Sequence, residues 1–219
     1  MRKPVFEQPV MKKLLRNNTN KITVKCRDSV EINDETHWQW RTTFNGVLMQ
    51  HNYWLHYVID KIMADNPQIA SIVEIGTAEG ALATVLGLWG VKRDIPIMTI
   101  DWSIRCAKQM KVFERLGVKF LNANVLTPDA HEAIADLVDG KPTLLVIDGF
   151  HKDMEFNLLV PMIPVGSIVG VHDYESEWFY HDIEDVAKCC EKIGPEKWNE
   201  LNVQFAVFKK VRDYDVDKC

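Results

Sequence analysis

Four short stretches of this 219-residue chain carry side chains that could do chemistry: "EIGTAEG" (74–80), "IDW" (100–102), "IDGFH" (147–151) and "VHDY" (171–174). Asp148 and Asp173 are carboxylates at the ends of apolar runs, and two such groups brought together would offer oxygen ligands to Mg²⁺ or Ca²⁺. His151 and His172 adjoin them. Imidazole titrates near neutrality and suits a general base. Metal-assisted and histidine-assisted chemistry are both open at this level. So are plainer roles, since Asp148 could cap a helix and "DG" is a common turn pair.

The earlier stretch speaks to a ligand. Gly76 permits a positive φ and close approach of a ligand to the backbone. The helix starting near Ala78 offers free N–H groups. A dinucleotide turn would read G-x-G-x-x-G. This one reads G-x-x-x-G from Gly76 to Gly80, across Thr77 and Ala78, and Glu74 ahead of it would repel a phosphate. A carboxylate there suits a cationic or hydroxylated ligand. Asp101 follows about twenty residues later, where an acidic side chain accepts hydrogen bonds from ribose hydroxyls. Trp102 could stack on an adenine face. Asn122 and Asn124 either read adenine edges or serve as turn residues.

These positions share one edge if the chain folds as its pattern indicates. Short apolar runs at 71–76, 95–102, 118–125, 143–150, 166–174 and 202–211 alternate with helical patterns, the last of them over 176–194. Right-handed βαβ units then build a doubly wound α/β sheet, with ligands at the carboxyl ends of its strands. The expected architecture is a Rossmann-like, seven-stranded sheet with its last strand antiparallel. "EKWNEL" (196–201) stands as a weak sixth strand and 202–211 as the seventh. An N-terminal helical extension precedes the sheet: residues 1–35 read as an arm, and 35–64 recur at helical spacing through Leu48, Asn52, Leu55, Val58 and Ile62. Gly46 divides that stretch and "DNPQ" (65–68) ends it. His51, His56, His131 and His181 read as structural. Of Trp178, Phe179 and Tyr180, some must stay exposed, because one helical turn cannot bury all three.

Composition sets the class. A 47% hydrophobic content supports a sizeable core, and a net charge of -5 argues against non-specific nucleic-acid binding. The five cysteines form no C-x-x-C pair and read as reduced thiols in a cytoplasmic setting. No signal-like or membrane-length apolar run is visible, so no membrane partner is expected.

Taken in order, "VEIGTAEG", "TIDW", "LNANV", "LLVIDGFH" and "GSIVGVHDY" resemble the class I S-adenosylmethionine-dependent methyltransferases. The resemblance runs from Ser71 to Val211. It is narrowest to the branch holding catechol-type O-methyltransferases and cephalosporin-hydroxylase-like proteins. It implies a domain boundary near 70, with an arm and helical cap at 1–70 and the cofactor domain at 71–219. It also implies S-adenosylmethionine held by Glu74, Gly76, Thr77, Ala78, Gly80, Asp101, Trp102, Ala123, Asn124 and Asp148. Many relatives carry an acidic residue near Ala123. The chemistry falls to Asp148, His151 and His172, with Mg²⁺ or another divalent cation at Asp148 and Asp173. His172 stands where catechol-type relatives show a carboxylate. The implied acceptor is an oxygen of a small molecule or sugar, and a homo-oligomer is compatible. The alternatives are an NAD-dependent oxidoreductase and a non-catalytic binding protein on the same fold. Ligand-induced stabilisation separates them: S-adenosylhomocysteine, and not NAD, is expected to raise the melting temperature in a thermal-shift assay.

Overall fold

The computed structural model describes residues 42–51, 55–194 and 204–214. The first described element departs from the helical expectation. Thr42–Phe44 (β1) and Val47–Met49 (β2) form an antiparallel hairpin, paired Thr42↔Met49 to Phe44↔Val47. Asn45 and Gly46 both take positive φ, 52° and 78°. That is the requirement of a two-residue turn whose twist matches its strands, and Asn-Gly is its preferred sequence. Gly46 therefore reverses the chain instead of bending a helix. Helix α1 (Leu55–Asp65) follows as expected, and its buried residues Leu55, Val58, Ile59, Ile62 and Met63 keep helical spacing.

The main sheet holds β3 (Ser71–Ile75), β4 (Ile97–Asp101), β5 (Val118–Asn122), β6 (Thr143–Ile147), β7 (Ile168–Val171), β8 (Cys190–Ile193) and β9 (Ala206–Lys210). Their order is β5-β4-β3-β6-β7-β9-β8. The first five of that order run parallel, and β9 lies antiparallel to both its neighbours. Every residue of the central strands β3 and β6 is buried, as near-continuous apolar strands covered on both faces should be. Their side chains alternate between two cores. Ile72, Leu144 and Val146 join α1 and α2 (Ala81–Arg93) on one face. Val73, Leu145 and Ile147 join α4 (Pro128–Val138), α5 (Lys152–Leu159) and α6 (Tyr180–Ala187) on the other. A short α3 (Met110–Leu116) lies between β4 and β5 in the chain.

The single helix expected over 176–194 is instead a helix and a strand. Helix α6 ends at Ala187, and Cys190–Ile193 turns out to pair with β9 from Cys190↔Lys210 to Ile193↔Val207. The open edge of β9 supplies backbone partners that outweigh the helical pattern of "VAKCCEKI". The strand preceding β9 is thus Cys190–Ile193, while "EKWNEL" lies outside the described residues. Among the described residues, no helix is long and apolar enough to cross a membrane.

The sheet converges at one tight approach. Gly76, just past β3, has φ +90°, and a Cβ placed on it would sit 2.2 Å from the carbonyl oxygen of Asp148. By contrast, Gly117 has φ +67° with nothing within 4 Å. Gly117→Ala should therefore cost about 1–2 kcal/mol of left-handed strain alone. Gly76→Ala adds overpacking and should cost about 2–4 kcal/mol. Urea unfolding of the two variants measures the difference.

Candidate active site

The carboxyl ends of the parallel strands place the expected residues side by side. Asp148 follows β6 and His172 follows β7, and each backbone N–H continues the ladder: Asp148 to Ile75 O at 2.9 Å, His172 to Ile147 O at 3.0 Å. Gly76 donates to Ile100 O at 2.9 Å, which ties the glycine turn to β4. Asp101 then locks the turn from the side. Its Oδ2 accepts from the Ala78 N–H at 2.8 Å, and its Oδ1 accepts from the N–H and Oγ of Ser103 at 2.8 and 2.9 Å. Oδ2 keeps acceptor capacity for a further donor, while Oδ1 is taken by the two Ser103 groups. Trp102 beside it is 76% exposed.

Glu74 lies beneath the turn, fully buried. Its Oε2 accepts from Thr99, whose hydroxyl pairs with that of Thr77 at 2.6 Å, and its Oε1 has no partner. Burial pushes its carboxyl up to about 8, against the Thr99 hydrogen bond. Gly80 donates to Thr77 O at 2.8 Å and packs on Phe113. Ala123 donates to Asp101 O at 3.1 Å, and the side-chain amide of Asn122 donates to the same carbonyl at 2.9 Å. Asn124 Oδ1 accepts from Leu126 N–H at 3.0 Å, the geometry of an Asx turn. The asparagines thus support the backbone here.

Around Asp148 gathers a charged cluster. His172 Nδ1 lies 3.2 Å from Asp148 Oδ1 and 3.1 Å from Asp173 Oδ1. Lys152, opening α5, lies 3.7 Å from Asp148 Oδ1, 3.1 Å from Asp173 Oδ2 and 2.6 Å from Glu177 Oε2. His51 Nε2 lies 3.4 Å from Asp148 Oδ2, and its ring meets that of His172 edge-on at 4.6 Å. The two imidazoles are in opposite states. Burial opposes charge on His172, but Asp148 and Asp173 outweigh it and raise its pKa to about 9. Burial dominates at His51 and lowers it to about 4, against the pull of Asp148. Both carboxylates are held low despite burial. Asp148 is lowered by His172, His51 and Lys152, and Asp173 is brought to about 2 by His172 and Lys152.

His172 as an imidazolium is a donor and not a base at neutral pH. His151 stands outside the cluster. It is exposed at the start of α5, with its ring edge-on to Phe150 at 4.8 Å. His51 is the residue that sequence reasoning placed elsewhere. The hairpin delivers it: Gln50, just past β2, donates to Glu79 at 3.1 Å, and His51 reaches Asp148 next. The Asn-Gly pair at 45–46 was the available signal. Trp178 is buried, donating to His172 O at 2.6 Å, while Phe179 and Tyr180 are exposed, as one turn requires.

A magnesium ion prefers oxygen donors. Asp173 has one oxygen against imidazolium and the other against ammonium, and Asp148 is shared among three side chains. The residues present do not fit Mg²⁺ between Asp148 and Asp173. His51, Asp148 and His172 each offer one donor atom within 4.8 Å of the others. Two imidazoles and one carboxylate suit a first-row transition ion better than magnesium.

No protein-family model and no curated protein matches this chain. Solved structures do. CmcI in its apo form is 14% identical, with a TM-score of 0.63 over 92% of this chain and 95% of its own. The fold is that of the class I methyltransferases. CmcI with Mg and SAM superposes equally well, at TM-score 0.63 and 14% identity over 91% of this chain and 95% of its own. A Staphylococcus aureus protein assigned as a caffeoyl-CoA O-methyltransferase is 16% identical, with a TM-score of 0.55 over 76% of this chain and 87% of its own. The SAH-bound methyltransferase PaMTH1 from Podospora anserina is 11% identical, with a TM-score of 0.51 over 73% and 77%. On the class I methyltransferase sheet, the cluster around Asp148 stands at the ends of β6 and β7, beside the glycine turn at the end of β3.

The opposed protonation states give a pH signature. With its pKa raised from 6.5 to about 9, His172 contributes stability that is complete below about 6.5 and is lost as pH rises through about 9. Asp173, lowered from 3.8 to about 2, contributes above about 3.8 and fades as pH falls through about 2. The unfolding free-energy gap between wild type and His172→Asn should therefore shrink from pH 6.5 to 9. Urea titrations across that window measure it, and a gap that stays constant rules out the imidazolium.

Proposed function

We propose that this chain transfers a methyl group from S-adenosylmethionine to a hydroxyl oxygen of a small molecule or sugar. The carrying observation is the close approach of Gly76 to the Asp148 carbonyl. It sets a ligand-binding turn and an acid–base cluster side by side, as a donor and an acceptor must be. Bound there, S-adenosylmethionine supplies an electrophilic methyl on a sulfonium.

Asp101 would take a ribose hydroxyl with the remaining acceptor capacity of Oδ2, and exposed Trp102 would cover the adenine. The Gly76–Gly80 turn, with Thr77 and Ala78, would hold the amino-acid end. Glu74, with its unpartnered Oε1, backs that turn as a neutral carboxyl able to donate or accept. His51 is neutral throughout the physiological range, and its Nδ1 has no partner. It would accept the acceptor's proton, while Asp148 beside Nε2 orients the ring and meets the charge that forms. His172 and Lys152 hold Asp148 ionised for that role. Methyl transfer itself then rests chiefly on alignment. Exposed Phe150 and Phe179 follow β6 and β7 and would give the acceptor apolar surface.

Two variants separate the halves of the site. Asp101→Asn should weaken S-adenosylhomocysteine binding by about tenfold or more in calorimetry. His51→Ala should leave that affinity near the wild-type value while lowering kcat by about 10²–10⁴ toward any accepted substrate. A His51→Ala enzyme with unchanged turnover would remove His51 from the mechanism.

A further inference from the structure

We propose that the ammonium of Lys152 occupies the place a divalent cation would take between Asp148 and Asp173, so that the site carries its own fixed cation and takes up no divalent metal there. Lys152 is only 6% exposed, which is unusual for a lysine without dedicated partners. Here it has four oxygens: Glu177 Oε2 at 2.6 Å, the Gly149 carbonyl at 3.0 Å, Asp173 Oδ2 at 3.1 Å and Asp148 Oδ1 at 3.7 Å. Carboxylates and a backbone carbonyl are the donors that a hard cation would choose. An ammonium can donate its three N–H groups to the nearer three of these oxygens, with Asp148 at 3.7 Å as a charge contact.

The backbone explains why the lysine reaches this position. Lys152 lies four residues after Asp148, at the first position of α5. The intervening Gly149 packs on Glu155, whose Oε1 also accepts from the His151 N–H at 3.3 Å. That contact folds the 149–151 loop back, so that the lysine points at the strand ends and not into solvent. Glu177 arrives from the turn after β7, which Asp173 initiates with φ +58° and a carbonyl accepting from the Ser176 and Glu177 N–H groups at 3.1 and 3.0 Å.

Charge balance points the same way. The Lys152 ammonium already stands among three carboxylates, Asp148, Asp173 and Glu177. A doubly charged ion entering this space would stand within a few ångströms of the Lys152 ammonium, in an enclosed site where like charges are poorly screened. The same repulsion applies to an ion sought by His51, Asp148 and His172, since its carboxylate ligand already serves Lys152.

Cation uptake does not depend on which reaction the site carries, so calorimetric titration of the full chain with Mg²⁺, Mn²⁺ and Zn²⁺ tests it apart from methyl transfer. Wild type and Lys152→Arg should show no saturable uptake that Asp148→Asn removes, and EDTA should leave the melting temperature unchanged. Lys152→Met, which keeps the length and loses the charge, should gain one saturable site at least tenfold tighter than any uptake by the wild type, lost again in combination with Asp148→Asn. Saturable wild-type uptake that Asp148→Asn abolishes overturns the proposal, and so does a folded Lys152→Met that gains no site. If Lys152→Met does not fold, the wild-type titration decides alone: no uptake at millimolar cation upholds the fixed ammonium, and uptake abolished by Asp148→Asn overturns it.

Discussion

A partly buried carboxylate must be compensated, and the candidate site is organised around that need at Asp148. Removing a carboxylate from water is costly unless cations and hydrogen-bond donors replace the solvent. Three side chains from different parts of the chain do so: His51 from the hairpin, Lys152 from α5 and His172 from the end of β7. Each is itself buried, so each depends on Asp148 in turn. Breaking one member strands the others, which couples the hairpin, the central sheet and the β7 turn into one unit.

That coupling has a chemical result. The same carboxylate holds one imidazole protonated and lies beside another that burial keeps neutral. The difference is one of neighbours. His172 has two carboxylates within 3.2 Å, whereas His51 has a single one at 3.4 Å and an unpartnered Nδ1. Two histidines with rings 4.6 Å apart are thus a donor and an acceptor. Pairs of titratable groups driven apart in this way are where acid and base roles are found.

Much of this was legible in the sequence, for physical reasons. Strand-end positions in a parallel sheet follow from βαβ alternation, so Asp101, Asp148, His172 and Asp173 could be assigned to one edge before any coordinates. Gly76 was readable as a close-approach position, though not what it approaches. The helical periodicity of 190–193 is genuine, and only the open edge of β9 overrides it. The neighbours of His51 in the chain carry no sign of its role, because its partner Asp148 lies 97 positions away. Lys152 gives no signal in the sequence, since a lone lysine at a helix start is nearly always solvated.

Local periodicity and chain order along the sequence were enough for the parallel strands, the edge they end on and the identity of the carboxylates there. Only the tertiary structure decided what those carboxylates face. Whether Asp148 and Asp173 meet a metal or an ammonium, and which histidine is charged, depend on distances of 3–4 Å between segments remote in the chain. Electrostatic energy varies steeply over that range, and no pattern along the chain encodes it.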